Sequence, residues 1–167
     1  MSLNKYQQKR NFKITSEPSG EEKINSATHI FVVQEHHASH LHYDFRLEID
    51  GVLKSWAIPK GPSLCPKIKR LAVMTEDHPL AYATFAGTIP EGEYGAGKVI
   101  IWDHGNWESL DDIQKGLLDG KLTFNLYGKK LRGKWTLLRF KGEIKNWLLI
   151  KAHDEFAVEN EEDLCKK

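Results

Sequence analysis

From His29 onward the chain alternates apolar and polar residues in short runs broken by Gly, Pro and Asp. This period of two constrains the fold more than any other feature, because it sends successive side chains to opposite faces of a strand. The predicted strands are 30–34, 41–49, 52–58, 71–75, 83–88, 98–102, 122–127, 134–140 and 147–151. Asp50-Gly51, between two of them, is a hairpin signal, because a type I′ turn needs positive φ at both central residues. One helix is expected, over 110–118, stopped near Gly120. Many short strands in 167 residues allow one core. Closure removes their exposed edges, so the fold class expected is all-β: a closed or partly closed β-barrel with a concave polar face, one short helix and an N-terminal arm. Residues 1–25 read as a basic arm, 26–153 as the barrel domain and 154–167 as a frayed acidic tail.

The 24 Lys and Arg nearly cancel 23 Asp and Glu, but their distribution is uneven. Residues 1–16, 54–70 and 128–142 carry bases and no acids, whereas 154–163 carries six acids and no bases. Each basic stretch alone is compatible with a solvated face; three together point to a phosphate-rich partner. No apolar run approaches the roughly 20 residues of a membrane-spanning helix, and 1–13 lacks the apolar stretch of a secretory signal. The expectation is a cytoplasmic monomer without membrane contact. Cys65 and Cys165 form no C-x-x-C pair and read as free thiols.

The segment with most chemistry is HHASHLHYDFRLEI, residues 36–49. From Leu41 the alternation is strict: Leu41, Tyr43, Phe45, Leu47 and Ile49 share one face, and His42, Asp44, Arg46 and Glu48 the other. Neighbours on that polar face stand roughly 6–7 Å apart, near enough for His42 and Asp44 to share a metal ion. Arg46 comes next, placed to meet an anion. His36 is a third candidate ligand, provided the chain bends near Ala38-Ser39. Two imidazoles and a carboxylate suit manganese, iron or zinc, and such a site polarises a phosphoryl oxygen and acidifies a bound water. The plainer alternative is a solvent-facing ladder of cross-strand ion pairs. His78, before Pro79, is expected at a strand end reaching over a barrel mouth, and Glu91–Gly97 reads as a glycine-rich turn without the features of a phosphate-binding P-loop.

Residues 36–48, with GVLKSWAIPKGP (51–62), EDHPL (76–80), Tyr82, GTIPEG (87–92) and YGAG (94–97), closely resemble the 3′-phosphoesterase domain of bacterial DNA ligase D. The resemblance runs over roughly 5–155, with no ligase or polymerase module attached, so a stand-alone domain is expected. It implies two activities in non-homologous end joining: removal of a 3′-terminal ribonucleoside and hydrolysis of the resulting 3′-phosphate. It implies manganese (Mn2+), with cobalt (Co2+), zinc (Zn2+) or another divalent transition metal as substitutes. The implied partners are 3′ ends of primer-template DNA or mixed RNA/DNA strands, with a separate DNA ligase and end-joining proteins. Carried over by residue, His36, His42 and Asp44 would bind the metal, and Arg46, His78 and Tyr82 would engage the phosphate, His78 as a general acid. Lys60 and Arg70 would add phosphate contacts, and Gln34, Glu48, Arg10, Asn11 and Glu17 would support. Asn11 departs from the family's Lys-Arg-Asp-Phe arm by replacing a carboxylate with an amide, which would weaken ribonucleoside removal if that acid takes part.

Two rival readings start from the same residues. His42-x-Asp44 with His78 as the later ligand would make the facial triad of a non-haem iron oxygenase. Alternatively, the histidines are structural and the chain is a metal-stabilised module that binds nucleic-acid ends without catalysis.

Overall fold

The computed structural model describes residues 3–20 and 29–159. Strands β1 (Ile30–His37) and β2 (Leu41–Ile49) form the hairpin that carries the polar motif, and β3 (Val52–Ile58) follows through the Asp50-Gly51 turn. Both turn residues have positive φ, 51° and 82°, as the turn type demands. Next come β4 (Arg70–Met74), β5 (His78–Pro79), β6 (Gly87–Ile89), β7 (Gly97–Ser109), β8 (Lys121–Tyr127), β9 (Arg132–Arg139) and β10 (Asn146–Lys151). Eight antiparallel strands close in the order β1-β2-β3-β4-β10-β9-β8-β7, with β7 pairing back to β1. The fold is therefore a closed β-barrel with two short additions, β5 on β3 and β6 on β7. Two helices, α1 (Asn4–Gln8) and α2 (Ile113–Asp119), lie outside it.

The barrel interior is filled from every strand of the circuit: Phe31, Phe45, Trp56, Ala72, Trp107, Phe124, Trp135 and Trp147 belong to one buried cluster. A second cluster lies on the other face of β1–β3, where Val32 and Leu53 meet Tyr6 of α1 with Tyr82, Ala83 and Phe85. The polar face of β2 is consequently not solvent-facing. Asp44, Arg46 and Glu48 are as buried as their apolar neighbours, roofed by the N-terminal segment and by residues 78–85. This overturns the exposed ion-pair ladder.

Several elements differ from expectation. The predicted strand 83–88 is a 3-10 helix, Leu80–Thr84, followed by β6. The carbonyls of Tyr82 and Phe85 there accept from the Gln34 side-chain amide at 2.8 and 3.0 Å, a tertiary interaction outweighing local alternation. The predicted strand 98–102 continues to Ser109 through Asp-His-Gly-Asn, which reads locally as a turn. Asp103 instead accepts from the amides of Lys129, Lys130 and Leu131 at 2.8–3.1 Å. Gly105 lets the strands approach, since a Cβ there would lie 2.2 Å from the Tyr127 carbonyl oxygen. A bulge between Val33 and Gln34 takes up the extra residue in β7. The helix expected at 110–118 starts later, with Asp112 capping the Lys115 amide at 3.1 Å, and ends at Gly120.

Within the predicted arm, α1 was not anticipated, and Tyr6, Thr15 and Glu17 are buried. The far end of the acidic tail and Cys165 lie outside the described residues, whereas Cys65 is a buried free thiol. Among the described residues, no helix is long and apolar enough to cross a membrane.

Candidate active site

The β1–β2 hairpin register places His36 directly opposite His42, and Gln34 opposite Asp44. The bend expected at Ala38-Ser39 is thus the hairpin turn itself. His36 Nδ1 and His42 Nε2 stand 3.4 and 3.3 Å from the same oxygen, Oδ2 of Asp44. Ligand atoms of the three residues all lie within 4.8 Å of one another.

Both imidazole tautomers are set by backbone carbonyls. His36 Nε2–H donates to the Gly95 carbonyl at 2.6 Å, and His42 Nδ1–H donates to the His40 carbonyl at 3.0 Å. Each leaves a lone pair aimed at a carboxylate oxygen, an arrangement relieved by a cation between them or by a second proton on an imidazole. Ligand atoms about 2.1 Å from a tetrahedral ion are about 3.4 Å apart, which matches the two contacts to Asp44. The donor set therefore fits a divalent metal. Its electrostatics agree: the Asp44 carboxylate, by its hydrogen bond, raises the proton affinity of His42. Burial pushes the Asp44 carboxyl upward, but Arg46 and contacts with both histidines hold it far below the usual carboxylate range.

Arg46 extends the row. Its guanidinium meets Asp44 Oδ2 at 3.4 Å, donates Nε–H to Gln34 Oε1 at 2.7 Å, and lies over the Tyr82 ring. Nη1 of Arg46 is 3.3 Å from His78 Nδ1, and Nη2 of Arg10 is 3.4 Å from His78 Nε2. Whichever ring nitrogen carries the proton faces a guanidinium donor. Burial first, then Arg46 and Arg10, depress the His78 pKa well below the ordinary imidazole value, so the ring is neutral. The Glu76 carbonyl and Ser55 hydroxyl approach Nδ1 at 3.0 and 3.4 Å.

The N-terminal segment completes the enclosure. Arg10 is bound by Glu17 at 2.9 Å and Glu76 at 3.3 Å, and the Tyr82 hydroxyl donates to Glu17 at 2.6 Å. Burial pushes the Tyr82 phenol upward, and the Glu17 carboxylate adds to it, so the hydroxyl keeps its proton. A cavity of about 310 Å³ results, walled by the His36–His42–Asp44 trio on one side and by Arg10, Arg46 and His78 on the other. Its lining sets a trio that could hold a cation beside guanidiniums that could hold an anion.

Residues 34–139 match the model of the DNA ligase D 3′-phosphoesterase domain. The chain belongs to that family. It is 55% identical over 156 residues to the multifunctional non-homologous end joining protein LigD of Pseudomonas aeruginosa, covering 91% of this chain and 19% of that protein. To the multifunctional non-homologous end joining DNA repair protein LigD of Mycobacterium tuberculosis it is 46% identical over 154 residues, 92% of this chain and 20% of the relative. The chain thus spans about a fifth of the length of these relatives.

In this LigD phosphoesterase domain, His36, His42, Asp44, Arg46, His78, Tyr82 and Arg10 all line one cavity. Gln34 and Glu17 stand behind it, orienting Arg46 and holding Arg10 and Tyr82. His78 reaches it from β5, which lies on β3 at the outer face rather than over a barrel mouth. With arginines at both its nitrogens, it is not a third metal ligand, which removes the oxygenase triad. Lys60 is exposed beyond the end of β3, Arg70 at the start of β4 pairs with Leu149 of β10, and neither lines the cavity. Asn11 is exposed and caps a turn through the Lys13 amide at 3.1 Å, and Glu48 accepts from the Ile30 amide at 3.0 Å. Of the basic stretches, the third serves packing in part: Arg139 donates to the Leu117 and Leu118 carbonyls at the end of α2. Sequence reasoning assigned no role to Gly95, Tyr94 or Glu76. The YGAG stretch carried the signal for the first two, but only the folded turn shows it touching His36 and the N-terminal arginine.

Proposed function

We propose that this chain is a metal-dependent hydrolase of nucleic-acid 3′ ends in DNA end repair, acting as phosphomonoesterase on a 3′-phosphate and as phosphodiesterase on a 3′-terminal ribonucleoside. The carrying observation is the convergence of two carbonyl-fixed imidazole lone pairs on Asp44, one residue step from the Arg46–His78 pair. The LigD relatives, named for non-homologous end joining, supply the nucleic-acid context.

His36, His42 and Asp44 would hold the ion, with manganese the first candidate. Bound there, it supplies Lewis-acid polarisation of a phosphoryl oxygen. The remaining work falls to the protein. Arg46 and Arg10 neutralise the charge that spreads over the equatorial oxygens of the transferring group, and their partners Gln34 and Glu17 fix both guanidiniums beforehand. His78 is neutral only because it is buried between two guanidiniums. An entering phosphate would place negative charge against those guanidiniums and raise the basicity of His78, which would then carry a proton drawn from solvent to the leaving oxygen as its bond to phosphorus breaks and a water oxygen takes that place. Tyr82 stays protonated and positions Glu17. Asn11, outside the cavity, is read as a turn residue, and the N-terminal segment reaches the cavity through Arg10, held by Glu17 and Glu76. A separate ligase would receive the hydroxyl end.

The test is a labelled primer-template ending in a 3′-phosphate or a single ribonucleotide, incubated with manganese, then with EDTA, beside His42→Ala. Manganese-dependent dephosphorylation or shortening that disappears in the variant is expected. A folded, metal-loaded wild type that alters neither end leaves a non-catalytic end-binding module as the better account.

A further inference from the structure

Beside the cavity runs a second depression of about 730 Å³, between α1, the end of β4 and the β9–β10 turn. The two share Thr75, Glu76 and Tyr94, so they adjoin across these residues. Four lysines line the groove, Lys5, Lys9, Lys54 and Lys145, against two carboxylates, Glu76 and Asp77. Lys9 and Lys54 are paired with those acids at 3.1 and 3.5 Å. Lys5 and Lys145 are exposed, form no ion pair with any described residue, and so leave the groove an uncompensated positive charge.

At the junction stands Tyr94, 48% exposed, with Lys9 Nζ 4.6 Å and Arg10 Cζ 5.3 Å from its ring centroid. An exposed aromatic ring flanked by cations, at the head of a basic groove, is the architecture that grips a nucleic-acid strand: bases stack on the ring and phosphates track the lysines. We propose that this groove carries the single nucleic-acid strand leading to the reacting 3′ end, with Tyr94 stacking a base near the terminus and Lys5 and Lys145 holding phosphates further along. The proposal rests on the phosphoesterase reading for direction only. Adjacency to the cavity that Arg10 and Arg46 line, with an exposed aromatic ring at the junction, selects a nucleic acid over an acidic protein as occupant.

The experiment measures anisotropy of a labelled single strand of about eight nucleotides with a 3′-hydroxyl, within the usual range of such sites. It is run in EDTA over a salt series, so that no turnover enters the readout. Wild type is compared with Lys5→Gln/Lys145→Gln, with Tyr94→Ala, and with a charge-matched control, Lys115→Gln/Lys121→Gln, on exposed positions outside the groove. All five positions are exposed, so folding is not at stake. The groove double variant should reduce the slope of log affinity against log salt by about 1.4, two phosphate contacts on a single strand. Tyr94→Ala should weaken binding about ten-fold, and the control should match wild type. An unchanged slope in the groove variant, or an equal loss in the control, overturns the proposal. So does loss of polyglutamate binding with strand binding intact, which would make the groove a dock for an acidic protein. Release of 3′-phosphate by the same preparations separates the two readings. An inert wild type that still binds through the groove defeats the hydrolase alone, and an active wild type whose groove variants bind normally defeats the groove alone.

Discussion

At His36 the tuning is done by a backbone carbonyl. Gly95 adopts φ of 76°, and a Cβ added there would sit 3.3 Å from His36 Cε1. Glycine thus serves two needs, a left-handed turn and the close approach of its carbonyl to the imidazole. Gly95→Ala should weaken manganese binding at least ten-fold by calorimetry, the usual scale for loss of a ligand-orienting partner. Wild-type affinity in that variant would mean that the carbonyl does not orient His36. Glu76 makes a pH-dependent prediction. Burial raises its carboxyl, but its own backbone amide, Lys9 and Arg10 lower it further, so the folded pKa lies below the ordinary value. A depressed carboxylate contributes stability that is complete above its unfolded pKa of about 4.3 and is lost as pH falls through the folded value. Glu76→Gln should therefore cost about 2 kcal/mol in chemical denaturation at neutral pH and converge on wild type as pH falls below the ordinary carboxylate range and through the lowered folded value. A constant difference across that range would contradict the sign.

At the scale of elements, strands fix which side chains meet. The period-two reading located β2 and β3 to the residue, because one face of each feeds the barrel interior. It failed for residues 103–106, where turn-forming residues lie within a strand. Asp103 is why they do: it is buried and spends its carboxylate on three amides of the β8–β9 turn and on that of His104. Asp103→Ala should lower stability by about 3 kcal/mol through unsatisfied buried amides, without changing metal affinity. Isothermal denaturation beside a metal titration checks both halves. A smaller element carries similar weight. Lys151 is buried, with its ammonium on Asp154 at 2.6 Å and on two carbonyls at 3.1 Å, so the start of the acidic tail is anchored to the barrel.

For the whole molecule, the site is a lamination. The His36–His42–Asp44 trio belongs to the barrel's outer face, whereas Arg10, Glu17 and the second cluster's Tyr6 come from the N-terminal segment. None of the interior cluster comes from that segment. A chain lacking residues 1–19 should keep the strand signature in circular dichroism and bind manganese within a few-fold of the full chain. It should lose 3′-phosphate release by about a hundred-fold or more, since the charges facing the phosphate go with it. Loss of cooperative unfolding in that chain would show instead that the segment is part of the folding unit.

How much was legible follows from which interactions are local. Alternation, turn residues and the clustering of His36, His42, Asp44 and Arg46 are properties of consecutive residues, and they determined by themselves an all-β chain, its hairpins and a candidate metal set. The sequence motifs also identified the family. Tertiary structure alone decided three things. Barrel closure brought β7 back to β1, making the polar face of β2 an outer face. The N-terminal segment folded across that face, burying charges that the alternation assigns to solvent. Tyr94 and Gly95 came within reach of residues far away in sequence. Each of these is a contact between distant segments, and its free energy comes from shared burial and charge pairing that no local pattern encodes.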